Sequence, residues 1–290
     1  MDDLYRAIEA TQARHIGNGE YHGKCPAHPD KVASLSFREG DGGRLLFHCH
    51  AGCTFESIAG ALGLSGNRTP PNADELEQRR AKRLAEQEAH YKATAERAQK
   101  AWSLATPAPD NHPYLVRKAI QPCGVGVLGC QYPDAPACVR DRGNLLVIPV
   151  MTDHVHSVQF IAEDGTKAFI QGSQRPGGYY QIGKQTERTW LCEGFATGAS
   201  IHEASGERVI VCFNTNGLKR VAASISNPKL NLLVMADDDW QTKGNPGLTA
   251  AKWIQEHHGI DYVSPEWGDL PRQPKDTDYN DLQRLRGQHG

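Results

Sequence analysis

Trp190-Leu191-Cys192-Glu193-Gly194, Val209-Ile210-Val211-Cys212-Phe213-Asn214 and Leu232-Leu233-Val234-Met235-Ala236-Asp237-Asp238-Asp239 are short apolar runs, each closed by Gly, Asn or acid. Apolar runs of this length between turn residues read as buried parallel strands. The intervening residues 196–204 and 218–225 are long enough for the helical crossovers that parallel strands require. In an open α/β sheet, chemistry gathers beyond the carboxyl ends of the strands. Glu193 falls at one such end, and Asp237 and Asp239 fall at another. Crowded carboxylates repel unless something cationic neutralises them, and all-oxygen ligands suit Mg²⁺ or Mn²⁺. Asp238, between two inward side chains, points away and is the weaker ligand candidate. Taken alone, the aspartate run also fits a solvated acidic turn; the glutamate upstream is what gives it meaning.

A strand ending in Glu-Gly, followed by a later strand ending in Asp-x-Asp, resembles the TOPRIM fold of primases, topoisomerases and some nucleases, here over residues 188–264. The resemblance implies an α/β fold with a TOPRIM-type parallel sheet flanked by helices.

Working outward, Asn245-Pro246-Gly247 introduces a helix read over residues 248–258, followed by the strand Tyr262-Val263-Ser264. The tail Asp276-Thr277-Asp278-Tyr279-Asn280-Asp281-Leu282 resembles an Asp-(Phe/Tyr)-Asn-Asp-Leu element of phage and plasmid TOPRIM primases. It reads as a capping turn before a final helix, with carboxylates that could assist the metal site.

Upstream, Gly178-Tyr179-Tyr180-Gln181-Ile182-Gly183-Lys184-Gln185 nearly matches a phosphate-cradling loop. It fails because Gln185 lacks the hydroxyl that such a loop offers to Mg²⁺, and because a strand follows instead of a helix. An ATPase or helicase module is excluded on that ground. Residues 142–150, 155–161 and 167–170 read as an antiparallel meander. Preceded by His112-Pro113-Tyr114-Leu115-Val116-Arg117-Lys118-Ala119-Ile120, it resembles the N-terminal half of the primase polymerase domain. There a Tyr-Leu-x-x-(Arg/Lys)-Gly-(Ile/Leu) helix end precedes a strand ending in an apolar residue and Pro. Tyr114, Leu115, Lys118, Ile120, Asn144 and Pro149 match; Ala119 replaces the usual Gly, and Leu145 replaces an Arg for which Arg142 can substitute.

At the N-terminus, Cys25-Pro26-Ala27-His28 is a C-x2-H pair and Cys49-His50-Ala51-Gly52-Cys53 a C-x3-C pair. Between them, Ser34-Leu35-Ser36-Phe37 and Arg44-Leu45-Leu46-Phe47-His48 flank a Gly-rich turn, a hairpin signature. A hairpin that joins two knuckles forms a closed tetrahedral Zn²⁺ site. The expected ligands are Cys25, His28, Cys49 and Cys53, with His48 and His50 also within reach. Zinc would hold a lobe too small to fold on its apolar core alone. The pattern resembles the zinc-binding domain that opens bacterial and phage primases and helps choose where synthesis starts.

Residues 55–64 read as a short amphipathic helix, and residues 65–72 as a domain boundary. Residues 73–105, rich in Ala, Glu, Gln, Lys and Arg, read as one long solvated helix. Its Arg79-Arg80-Ala81-Lys82-Arg83 cluster reads as part of a helical spacer in preference to a nucleic-acid contact. The expected division is 1–66 zinc-binding, 67–110 linker and long helix, 111–187 small α+β subdomain, and 188–290 TOPRIM domain with tail.

Across 290 residues the formal net charge is -2, so nucleic-acid binding must come from local basic patches. No apolar run approaches the roughly 18 residues of a membrane span, and the polar, acidic N-terminus is unlike a signal peptide. A cytoplasmic location is expected. There the eight cysteines favour metal or free-thiol roles over disulfides. Cys123, Cys130 and Cys138 lack a paired knuckle and read as free thiols, whereas Cys192 and Cys212 read as core.

Together the resemblances imply a small stand-alone primase of phage or plasmid type. A ribonucleotide 3′-hydroxyl would attack the α-phosphate of an incoming NTP on a single-stranded DNA template. Asp237 and Asp239 would hold Mg²⁺ (or Mn²⁺), and Glu193 would share a metal or act as base. Lys184, Arg142, Lys219 and Lys243 are candidate phosphate contacts on charge and position. The missing ATPase implies a separate replicative helicase as partner. The alternatives are a metal-dependent nuclease, because the same carboxylates can activate water, and a non-catalytic zinc-bearing DNA-binding accessory protein. Thr197, where cellular primases commonly have Asp, is what opens the second alternative.

Overall fold

The computed structural model describes residues 3–17, 19–40, 44–64, 73–173, 177–225 and 230–289. Most of the expected hairpin turn, the expected boundary at residues 65–72 and the Arg79 side chain lie outside the described residues. The chain divides into two compact units, Met1–Glu88 and Ala89–Gly290.

The first unit begins with α1 (Asp3–Thr11), β1 (Arg14–Gly17), β2 (Glu20–Gly23), β3 (Leu35–Glu39), β4 (Leu45–Cys49) and α2 (Phe55–Ala61). The strands form an antiparallel sheet in the order β1-β2-β3-β4. The expected hairpin is β3–β4, registered from Leu35↔Cys49 to Glu39↔Leu45. Strand alternation puts Leu35, Phe37, Leu45 and Cys49 on one face, where they pack with Ala7 and Ile58 into a small core. α1, β1 and β2 were not anticipated, because both strands are only four residues long and end in Gly.

α3 (Ala73–Leu104) crosses the division between the units. The expectation of a helix solvated throughout fails in its second half, where Thr94, Ala98 and Ala101 are buried. Spaced four and three apart, these small residues form one stripe that lets the helix lie close against a sheet. That sheet is built from β5 (Thr106–Pro107), β6 (Gly126–Leu128), β7 (Leu145–Met151), β8 (Val155–Ile161) and β9 (Lys167–Phe169), antiparallel throughout and in chain order. α4 (Pro113–Lys118) precedes β6. β7 is buried on both sides: Leu145 and Val147 pack with Ala98 and Ala101, while Leu146 and Ile148 pack with Tyr114, Leu115 and Ala199.

The remaining elements are β10 (Tyr180–Ile182), β11 (Arg188–Cys192), α5 (Phe195–Ser205), β12 (Arg208–Val211), α6 (Thr215–Ile225), β13 (Asn231–Met235), α7 (Pro246–His258), β14 (Asp261–Val263) and α8 (Tyr279–His289). Their sheet has the order β10-β12-β11-β13-β14. β11 to β14 are parallel, and β10 runs antiparallel to β12. α5 packs on one face with Val209, Val211 and Met235. α6 and α7 pack on the other with Leu191, Ile210 and Val234. The molecule is therefore an α/β fold: a TOPRIM-type parallel sheet between helices, preceded by a small α+β subdomain and a zinc-ribbon-like N-terminal lobe. No helix among the described residues is long and apolar enough to cross a membrane.

Candidate active site and metal centre

The chain leaves β11 toward β12 and leaves β13 toward β14, so the connections of these adjacent strands diverge. Such a switch point opens a crevice at the carboxyl ends of the two strands. Glu193 follows β11 and Asp237 follows β13, so both stand at this crevice. Burial pushes the Glu193 carboxyl up to about 7; the Asp239 charge adds to the shift and Lys167 opposes it. Asp237 is also raised well above the usual carboxylate range, first by burial and then by the charges of Asp278, Glu193 and Asp239. Glu193 Oε1 and Asp237 Oδ1 are sealed from solvent and accept no hydrogen bond from the described residues. An unpaired buried oxygen of this kind is costly unless a cation meets it. The donor set therefore fits a hard divalent ion.

The surrounding loop orients these carboxylates. Asp239 Oδ2 accepts from Gly247 N at 3.1 Å, at the start of α7. A Cβ on Gly247 would collide with the Asp237 carbonyl oxygen, so only glycine lets α7 begin this close to β13. Asp238 faces away, bonded to Arg272 at 2.7 Å and to Asn245 Nδ2 at 2.7 Å.

Two neighbours were missed or underweighted in the sequence. Lys167, on β9 of the other sheet, is the cation whose charge reaches both Glu193 and Asp237. No sequence pattern connects it to them. Asp278 caps α8 by accepting from Asp281 N at 2.9 Å, which is the expected capping turn. Its carboxyl is raised by burial first and then by Asp281, and its charge also bears on Asp237. Asp238 N donates to Thr277 O at 2.8 Å, which brings the tail against the end of β13. The motif's Asn280 is fully buried and donates to Lys118 O at 2.8 Å and Ser200 Oγ at 2.9 Å, joining α8 to α4 and α5.

The four expected phosphate contacts are scattered. Because β10 is antiparallel, the loop carrying Lys184 lies at the amino ends of β11 and β12, where Thr186 Oγ1 accepts from Arg208 N. Lys184 is thus across the sheet from Glu193, since one precedes β11 and the other follows it. Arg142 is ion-paired to Asp164 at 2.6 Å. Lys219 lies over the Trp253 ring at 5.0 Å. Lys243 is exposed in the loop between Asp239 and α7 and is the candidate nearest the acidic rim in the chain.

In the first unit, the ligand atoms of Cys25, His28, Cys49 and Cys53 all lie within 4.8 Å of one another. Among the described residues this is the sole group of three or more so close; the acidic oxygens of the rim do not approach one another to that degree. His28 Nδ1 is 3.2 Å from Cys53 Sγ and 3.9 Å from Cys49 Sγ. Its Nε2 faces Asp30 Oδ1 at 3.8 Å, while Asp30 Oδ2 accepts from Cys25 N and Ser34 Oγ at 2.7 Å each. Asp30 therefore orients the Cys25/His28 knuckle, as a carboxylate behind a ligating imidazole does. Burial raises the Cys25 thiol to about 11. The same burial acts on Cys49, but the N–H groups of Cys53 and Ala51 outweigh it and bring that thiol down to about 7. His48 and His50 are exposed and stand outside the quartet, their rings 4.9 Å apart. The three thiols and one imidazole fit tetrahedral zinc.

Residues 188–289 match the family model described as Toprim domain. Two curated relatives from Escherichia coli are both DNA primase TraC. One is 31% identical over 185 residues, covering 59% of this chain and 16% of the relative. The other is 29% identical over 205 residues, covering 66% of this chain and 13% of the relative. The chain thus spans about a sixth or less of the length of these relatives. Among solved structures, the primase fragment of the bacteriophage T7 primase-helicase aligns with TM-score 0.41 and 12% identity, over 62% of this chain and 71% of that one. The zinc-binding and RNA polymerase domains of Aquifex aeolicus primase align with TM-score 0.39 and 15% identity, over 99% and 83%.

Proposed function

We propose, from the Toprim domain that residues 188–289 match, that this chain is a DNA primase that makes short RNA primers on single-stranded DNA. The observation that carries the reading is the acidic rim at the β11/β13 switch point, where two buried carboxylate oxygens have no hydrogen-bond partner among the described residues. The similarity to TraC primases supports the assignment from an independent direction.

Joining a 3′-hydroxyl to the α-phosphate of an NTP breaks its bond to the β-phosphate and releases pyrophosphate, which demands alignment and neutralisation of developing negative charge. Mg²⁺ or Mn²⁺, when bound, supplies that neutralisation and acidifies the attacking hydroxyl. Asp237 and Asp239 hold the ion. Glu193, with its carboxyl held near 7, either shares the metal or takes the hydroxyl proton. Asp278 backs Asp237 from the tail, and Lys167 limits the repulsion among the acids. Lys243 remains the best placed of the expected phosphate contacts.

Cys25, His28, Cys49 and Cys53 hold Zn²⁺ in a lobe that meets the template. The functional division follows as 1–66 zinc-binding, 67–110 connector, 111–187 first part of the polymerase core and 188–290 Toprim with tail. Single-stranded DNA and NTPs are the substrates, a separate helicase is the partner, and the cytoplasm is the place of action.

Asp237→Ala is expected to abolish labelled primer synthesis from NTPs and Mg²⁺ on single-stranded DNA, with an unchanged circular dichroism spectrum. Normal primer yield from that variant would overturn the assignment. Mg²⁺-dependent template degradation without NTPs would point to the nuclease reading instead.

A further inference from the structure

The Asp237-Asp238-Asp239 run places three consecutive carboxylates at one strand end, yet the middle one is held apart by a dedicated structure. Arg272, in the segment between β14 and α8, binds Asp238 twice: Nη1 to Oδ2 at 2.7 Å and Nη2 to the main-chain oxygen at 2.6 Å. Its Nε donates to Asp276 O at 2.8 Å. The guanidinium lies over the Trp267 ring at 4.3 Å and the Trp240 ring at 4.9 Å. Arg272 and Asp238 are only 16% and 19% exposed, so the pair is shielded from screening.

Asp238 has no remaining freedom. Its second oxygen accepts from Asn245 and its N–H donates to Thr277 O, in addition to the two bonds from Arg272. Fixing both the side chain and the carbonyl of one residue fixes the peptide planes on either side of it. Those planes set the directions in which Asp237 and Asp239 project. A lysine could supply the charge, but not a planar fork that reaches two oxygens while its faces stack on two indoles.

We propose that Arg272 is a positioning residue for the acidic rim: by holding Asp238 outward, it aims the oxygens of Asp237 and Asp239 at the cation. It touches neither ion nor substrate. The inference rests on the cation reading of the rim given above.

The test uses the zinc-replete full chain with Mn²⁺ as probe, bound ion being counted by electron paramagnetic resonance while melting is followed in the same samples. The wild type is expected to bind Mn²⁺, and Asp237→Asn to lose it. Arg272→Lys is expected to weaken binding about tenfold, the lower end for an outer partner of a metal site. Asp238→Ala should lose a similar factor, and the double variant should be no worse than either single change, because both act through one contact. Arg272→Lys that binds as tightly as the wild type, even with a lower melting temperature, would reduce Arg272 to a structural part and overturn the proposal. Losses that multiply in the double variant would overturn it too. A wild-type chain that binds no Mn²⁺ would remove the cation reading as well, and that outcome shows before any Arg272 variant is measured.

Discussion

Ala119 closes α4 at φ 52° and ψ 48°, a left-handed conformation in which its N–H reaches back to Leu115 O and Val116 O. A Cβ there costs about 1 kcal/mol that glycine avoids. Ala119→Gly is therefore expected to stabilise the chain by roughly 0.5–1 kcal/mol in urea denaturation, after allowance for the greater freedom of glycine when unfolded. The departure from the usual Gly was legible in the sequence; that the position demands left-handed backbone emerged only with the helix end in place. Glu193 makes a second prediction at this scale. Burial, with Asp239 behind it, raises its carboxyl in the folded state to about 7. The folded protein therefore holds this proton where the unfolded chain has released it, and stability falls as pH rises from the ordinary carboxylate range to about 7. Without added divalent ion, Glu193→Gln should show a shallower fall over that window than the wild type, measured as melting temperature against pH.

Among the elements, the loop from β13 to α7 concentrates the most constraint. Asn245 caps α7 from a left-handed backbone (φ 39°), accepting from Leu248 N and Asp239 N and donating to Asp238. Few residues can do this; asparagine tolerates the conformation and has both a donor and an acceptor to give. Asn245→Ala is expected to destabilise the chain by about 2 kcal/mol, from the lost cap plus the strained alanine, as read from urea denaturation. The Asn-Pro-Gly signature announced a helix start, and the helix is there. What the signature did not convey is that the cap also holds Asp238 and Asp239, the last two of the three aspartates after β13. Conversely, the apparent solvation of α3 misled over its second half because Ala and Thr carry little hydropathy signal. Their burial is a consequence of the sheet they meet.

At the scale of the whole molecule, the two units rest on different physics. The second has extensive apolar clusters on both faces of its sheets. The first has a small core, with two cysteines of the metal quartet among its buried members. Chelating zinc, or replacing Cys49 with Ser, is therefore expected to unfold residues of the first unit while those of the second remain folded. Amide hydrogen exchange, read residue by residue, checks this directly. Loss of protection throughout the chain would mean that the metal does not anchor the first unit alone.

The parallel strands, their helices and the two knuckles were readable along the chain because each is a local pattern: apolar period, turn residues, ligand spacing. Glu193, Asp237 and Asp239 were readable for the same reason, since strand ends in a parallel sheet share one edge. Lys167 beside that edge, Asp30 behind His28 and Arg272 clamped between two tryptophans left no mark in the linear pattern. Each depends on which strand pairs with which, in what direction, and on how far a side chain reaches across the junction. Such contacts are made by chain packing, which has no period along the sequence to betray it.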